Sequence, residues 1–257
     1  MGEKLAAVFL LGIGVYNACM AIVVLDEIRR ALHAVASKED AAFLPSFFKT
    51  GKGEYGEGDV FIGVRVPHAR RVVKTYADKA TASDIEALLG SKIHEERLCG
   101  LFLMVQQFEK GRDALRERIV RQYLRLKDRV NNWDLVDASA PQILGVWLQE
   151  RPRDELYRLA KSTTLWHRRI AVVACHAFIK RGEFADILAL AALLLDDTHD
   201  LMHKAIGWML REVGKKDEKT LRTFLRTHYD RLPRTTLRYA IERYRPQTRS
   251  EILKGVF

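Results

Sequence analysis

Leu165–Leu195 reads LWHRRIAVVACHAFIKRGEFADILALAALLL, and this stretch decides the fold. Two runs with helical periodicity, Leu165–Lys180 and Phe184–Leu195, flank a turn at Gly182. Asp196-Asp197 ends the second run. The unit is a helical hairpin, and its rhythm continues on both sides.

Upstream, the periodicity predicts helices over Ile93–Glu109, Ala114–Leu126, Trp133–Gln149 and Arg153–Ala160. Downstream it predicts Asp200–Val213, Lys216–His228 and Pro233–Tyr244. Gly111, Pro152 and Gly214 act as breakers. No convincing strand pattern appears. From Glu95 on, each pair takes roughly 35 to 40 residues, the range of HEAT-type units. No repeat is exact, so the reading rests on rhythm. The expected fold is all-α: an α-solenoid of HEAT-like helical hairpin repeats with a concave basic face.

The N-terminal third is less regular. Asp26–Ala36 and Lys38–Lys49 read as helices. Thr50–Asp59 holds four glycines and reads as a loop. Val60–Val66 is short and apolar, Pro67 starts a helix at a position where proline is tolerated, and Ser83-x-x-Glu86 reads as a capping box. Leu5–Leu25 carries no charged residue. Its length could span a bilayer, form the apolar part of a signal peptide, or pack as a docked helix. It could also reflect a start assigned too early, with Met20 as the natural one. The domain expectation is therefore an apolar extension over residues 1–20 and a single domain over 21–257. Membrane contact by residues 5–25 is the less favoured reading.

The formal net charge is +10, which favours polyanionic partners, nucleic acid first. The excess is concentrated. Lys215–Phe257 holds 12 Lys/Arg against 5 Asp/Glu, and Lys110–Val130 holds 8 against 3. Such stretches suit a phosphate-binding groove, although solvated helix faces have the same composition. The cysteines are Cys19, Cys99 and Cys175, few and widely spaced. That is neither a disulfide framework nor a zinc ribbon, and a cytoplasmic protein is expected.

Three segments could carry chemistry. In Asn131-Asn132-Trp133-Asp134-Leu135-Val136-Asp137, a tryptophan and a carboxylate four apart share one helix face. A π surface beside a negative charge suits a planar cation, while a core tryptophan and a salt-bridged aspartate give the same spacing. Arg169 opens an otherwise apolar helix and could meet a phosphate, or bridge to another helix, Asp137 included. Lys204, Trp208 and Arg211 at i, i+4 and i+7 form one stripe, the pattern wanted for backbone phosphates plus stacking. Gly207 permits close approach of a neighbouring helix or a ligand. His199 and His203 are four apart and could bind a metal, but no third ligand is evident. Glycines 51 to 58 match no phosphate-binding fingerprint, and no metal or cofactor is expected.

These segments resemble the AlkD-like family of DNA alkylation repair glycosylases, which are HEAT-like repeat proteins. The matching strings are Trp-Asp-Leu-Val-Asp (133–137), Trp-His-Arg-Arg-Ile-Ala (166–171) and Lys-Ala-Ile-Gly-Trp-Met-Leu-Arg-Glu (204–212). Phe47-Phe48-Lys49, Gly56-Glu57-Gly58-Asp59 and Gly63-Val64-Arg65-Val66-Pro67 resemble the family's N-terminal part. The resemblance covers about residues 26 to 245 and leaves residues 1 to about 20 outside.

The resemblance implies a monofunctional glycosylase that hydrolyses the N-glycosidic bond of positively charged N3- or N7-alkylated purines in duplex DNA. It implies Asp137 as the catalytic carboxylate and Trp133, Trp208, Arg169 and Phe47 as lesion-binding residues. Lys204, Arg211 and Arg168 would grip the backbone. Phe47 departs from the hydroxyl-bearing tyrosine found in some members, which puts any role of that hydroxyl in doubt. The implied partner is double-stranded DNA containing alkylated bases, bound by a monomer without cofactor. Some relatives bind DNA without excising standard bases, so a non-catalytic binder of damaged or branched DNA is the alternative.

Overall fold

The computed structural model describes residues 24–257. The expectations for residues 1–20 lie outside the described residues. Among the described residues all regular structure is helical, apart from one isolated parallel bridge between Val60 and Ile93. The all-α expectation holds: helical hairpins follow one another, as in an α-solenoid. No helix among the described residues is long and apolar enough to cross a membrane. The chain divides into two compact units, one ending at Leu135 and one running Val136–Phe257.

The first unit contains α1 (24–34), α2 (Lys38–Phe47), α3 (Val66–Tyr76), α4 (Ala82–Leu89), α5 (His94–Lys110) and α6 (Asp113–Arg125). Helix α5 is its axis and packs on α3, α4 and α6. Leu98, Leu101, Phe102, Met104 and Phe108 bury its apolar side. Helix α2 stops at Phe47, two residues short of the expected end, because Lys49 turns into left-handed backbone (φ 56°). The expected capping box is also corrected. Thr81, not Ser83, caps α4: its Oγ1 accepts from Asp84 N–H at 3.2 Å while Asp84 Oδ2 accepts from Thr81 N–H at 2.7 Å. The helix thereby starts at Ala82, and Glu86 instead forms a fork with Arg125 at 2.7 Å to each oxygen.

Helix α7 (Trp133–Asp137) is a single turn. The expected helix over Trp133–Gln149 is interrupted, and Pro141 explains where. Proline has no N–H to give to the carbonyl four residues back, which is that of Asp137. The chain passes instead through a π-helical turn, Pro141–Gly145, in which Gly145 N–H reaches Ala140 O at 2.9 Å, and a 3₁₀ turn, Leu148–Glu150.

The second unit continues with α8 (Asp154–Ala160), α9 (Leu165–Ala174), α10 (His176–Lys180), α11 (Ala185–Leu193), α12 (Asp200–Lys216), α13 (Glu218–His228), α14 (Arg234–Ala240) and α15 (Pro246–Leu253). The expected helix Leu165–Lys180 is two helices. At Cys175 the backbone N–H tightens onto Val172 O (3.3 Å) and the thiol donates to Ala171 O (3.4 Å).

Helix α12 is the axis of this unit and packs on α9, α10, α11, α13 and α14. Gly214 does not break it, contrary to expectation. A Cβ there would lie 2.4 Å from Leu221 Cδ2, so the glycine is what lets α13 fold back closely. Gly207 serves α14 in the same way, and the close approach foreseen for it is to a helix: an added Cβ would meet Tyr239 Cβ at 2.5 Å and Thr236 O at 2.7 Å. Cys99 and Cys175 are buried and unpaired. Burial pushes the Cys99 thiol up to about 12 with help from the Glu96 charge, and burial raises Cys175 as well.

Candidate functional site

In the first unit the chemistry gathers at the start of α5. His94, Glu95, Glu96 and Arg97 are four consecutive ionisable residues, and all four are buried. Burying charge requires a partner for each. Arg29 Nε donates to Glu96 at 3.2 Å. Glu95 accepts the backbone N–H groups of Ile62, Gly63 and Val64 at 3.2, 2.8 and 3.1 Å. That carboxylate shapes the Val60–Val66 segment, which has no strand partner beyond the single bridge. Arg97 donates to Asp59 at 2.6 Å and to the carbonyls of Ser91 and Lys92.

His94 sits between two carboxylates, Nδ1 at 2.8 Å from Asp59 and Nε2 at 2.8 Å from Asp134. Burial alone would lower its pKa. The hydrogen bonds and charges of Asp134 and Asp59 outweigh that and raise it to about 9, so the ring is an imidazolium at neutral pH. Burial would raise Asp59, but the His94 hydrogen bond and the Arg97 charge hold it below the usual carboxylate range.

An aromatic stack lies on this imidazolium. Phe48 and Phe61 sit 4.8 and 4.7 Å from the His94 ring, centroid to centroid. Trp133 stacks on Phe48 at 5.3 Å with 16° between planes, and Phe47 meets Trp133 edge-on at 5.9 Å. Trp133 is half-buried and Phe47 is 49% exposed. Both line a cavity of about 610 Å³, together with Phe43, Glu39, Asp40 and Asp134.

In the second unit the central feature is a fork between Asp137 and Arg169. Arg169 Nε donates to Asp137 Oδ1 at 3.0 Å and Nη2 to Oδ2 at 2.8 Å. The third direction, Nη1, is fixed on Leu201 O at 2.7 Å, at the start of α12. Side-chain exposure is 6% for Arg169 and 20% for Asp137, so the arginine is locked while the carboxylate is partly reachable by solvent.

Trp208 on α12 is half-buried and 5.9 Å from the His176 ring. Burial and the nearby Lys180 and Lys215 lower the His176 pKa, and Glu212 opposes them in part. Lys204 pairs with Asp200 at 2.8 Å, and Arg211 pairs with Glu242 and, at 3.6 Å, with Glu212. Arg168 is bound more firmly into the fold, with Nε on Asp197 at 2.6 Å and Nη1 on the carbonyls of Ser162 and Thr163. His199 caps α12 through Nδ1, which accepts from Leu201 N–H, and His203 Nε2 meets Asp197 O.

The structure thus brings Phe47 together with Trp133 in one unit, and Asp137 together with Arg169 in the other. Sequence reasoning missed Asp59, His94, Arg97 and Asp134. One signal was present: a run of four ionisable residues followed directly by the apolar stretch Leu98–Val105 asks for buried partners.

Comparison with known proteins adds the following. The profile of a protein family described as "DNA alkylation repair enzyme" matches residues 28–244. No curated protein matches the chain. A solved structure described as a predicted DNA alkylation repair enzyme from Enterococcus faecalis is similar, with a TM-score of 0.64 and 17% identity. The match covers 82% of this chain and 97% of that one, and it bears on the fold alone.

Proposed function

Because the chain belongs to the family of DNA alkylation repair enzymes, we propose that it is a monofunctional DNA glycosylase for cationic N3- and N7-alkylated purines, such as 3-methyladenine and 7-methylguanine. The observation that carries this reading is the Asp137–Arg169 fork. Alkylation leaves a positive charge on the purine, so the base departs with the bonding electrons and becomes neutral without a strong general acid. What remains to be stabilised is an oxocarbenium-like sugar cation, and what must be supplied is a water. A carboxylate oriented through both oxygens and 20% exposed suits both tasks. Asp137 would face the developing charge at C1′ and accept a proton from the attacking water. The new C1′–O bond replaces the broken C1′–N bond.

Arg169 positions Asp137 through the fork. Trp208 and Trp133 would pack on the lesion nucleotide and deoxyribose, with cation–π attraction to the charged base or sugar. Phe47 would add apolar surface. Lys204, Arg211 and Arg168 would face phosphates, and all three would first have to exchange a carboxylate partner for DNA. Nothing in this chemistry needs a lysine nucleophile, so strand cleavage is not expected.

The test is base release from methylated duplex DNA. Asp137→Asn keeps the shape of the side chain and removes its charge. It should still fold and bind DNA, with some loss of stability because the buried Arg169 loses its charged partner, yet release 7-methylguanine at least about a hundredfold more slowly, the scale on which single electrostatic groups act in catalysis. Release at the parent rate would refute the catalytic role of Asp137. Binding without any release by the parent protein would instead support a non-catalytic reader of damaged or branched DNA.

A further inference from the structure

Three separate connections run from Trp133 to one buried side chain, His94. The first goes through Asn132, which is fully buried. Its Oδ1 accepts the Trp133 N–H at 2.8 Å, and its Nδ2 reaches Asp59 at 3.4 Å, the carboxylate that holds His94 Nδ1. The second goes through Asp134, whose Oδ2 holds His94 Nε2. The third is the ring stack, in which Trp133 lies on Phe48 and Phe48 on His94. Helix α7 is a single turn. One turn does not hold its own place through helix hydrogen bonds, so contacts on either side of Trp133 decide where the indole sits.

Serving a carboxylate on each side takes an N–H on each ring nitrogen, and only the imidazolium has both. In the neutral ring one carboxylate would face a lone pair. The charged groups that face the ring are Asp59 from the loop, Asp134 from α7 and Arg97 from its own helix, whose Nη2 lies 3.5 Å from Nδ1. Asp59 keeps Arg97 in either case. Asp134 has no such reserve: among the described residues, His94 is the one hydrogen-bond partner of its side chain.

We infer that His94 is a positioning residue for the lesion contact of Trp133. By donating from both ring nitrogens at once, it clamps Asp134 and, through Asp59, Asn132, and so fixes the indole between them. The inference rests on the glycosylase reading for what Trp133 touches. It adds a buried residue that acts only through others.

The first test is the single-turnover rate of base release at saturating protein, over a pH range in which circular dichroism shows the parent folded. The parent rate should fall as pH rises through about 9, where the ring gives up one of its two N–H protons. His94→Gln should be about ten- to a hundredfold slower at neutral pH, the scale of a misplaced contact, and flat across that range. DNA affinity, which phosphate contacts dominate, should change by less than about threefold. The deciding comparison removes the indole: in a Trp133→Ala background, His94→Gln should cost less than about twofold in rate. Asp134→Ala cuts the clamp while leaving His94 on Asp59. It should give the same pattern, and it replaces His94→Gln if that variant does not fold. Ile85→Val takes one buried methyl from the same unit, and it should lower stability while leaving the rate and its pH profile unchanged.

The second test needs no reaction. In protein labelled with fluorotryptophan, the Trp133 fluorine resonance, assigned with Trp133→Phe, should shift with a midpoint near 9 in the parent and stay fixed in His94→Gln. The inference is overturned by a resonance indifferent to pH across that midpoint, by a parent rate flat there, or by equal slowing from His94→Gln with and without Trp133. A parent that releases no base refutes the glycosylase reading, and the clamp on the indole then stands or falls on the fluorine signal.

Discussion

Arg169 has three hydrogen-bonding directions engaged, two on Asp137 and one on a backbone carbonyl. His94 shows the same economy, with both ring nitrogens on carboxylates. Its consequence is measurable. A histidine whose folded pKa is raised from 6.5 to about 9 adds stability that is fully present below pH 6.5. That contribution is lost as pH rises through about 9, once the ring can deprotonate in the folded state as well. The urea midpoint of the parent should therefore fall across that window, and His94→Gln should flatten the dependence there. Asp59→Asn leaves His94 and Arg97 buried with one carboxylate fewer, and it should cost about 3–5 kcal/mol by urea denaturation. Trp133, Asp137, Arg169 and Trp208 were visible in the sequence as spacing along helices. The His94 network was not, because Asp59 and Asp134 lie 35 and 40 residues away and only tertiary folding brings them to the ring.

At the scale of elements, periodicity located nearly every helix and misplaced several ends. The errors share a cause: local rules compete, and packing decides. Gly214 is a breaker by propensity, yet α12 continues through it because Leu221 needs the space. Thr81 and Ser83 can both cap, and the reciprocal bond with Asp84 selects Thr81. Pro141 was in plain view, but a turn of α-helix followed by a π-helical turn has no simple periodic signature. Gly207 gives the sharpest test of packing. Gly207→Ala gains about 1 kcal/mol of helix propensity, but the added methyl would strike Tyr239 and the Thr236 carbonyl. The net result should be a loss of about 1–3 kcal/mol in chemical denaturation. A stabilised variant would show that α12 and α14 separate freely.

For the whole molecule the governing quantity is charge. Much of it is already engaged within the protein: Arg168, Arg211 and Lys204 each hold a carboxylate. The proposed DNA binding would then come from exchange of partners together with the basic C-terminal helices. With about four to five phosphates contacted, affinity should fall on the order of 10²- to 10³-fold between about 50 and 200 mM salt. A fluorescence-anisotropy titration giving a flat salt response would contradict a phosphate-gripping surface. The burial of Cys99 and Cys175 has a bearing of its own. Electrophiles that methylate purines also attack thiolates, and a thiol raised to about 12 has almost no thiolate at neutral pH. With both sulfurs fully shielded, these two cysteines are poor targets for such reagents.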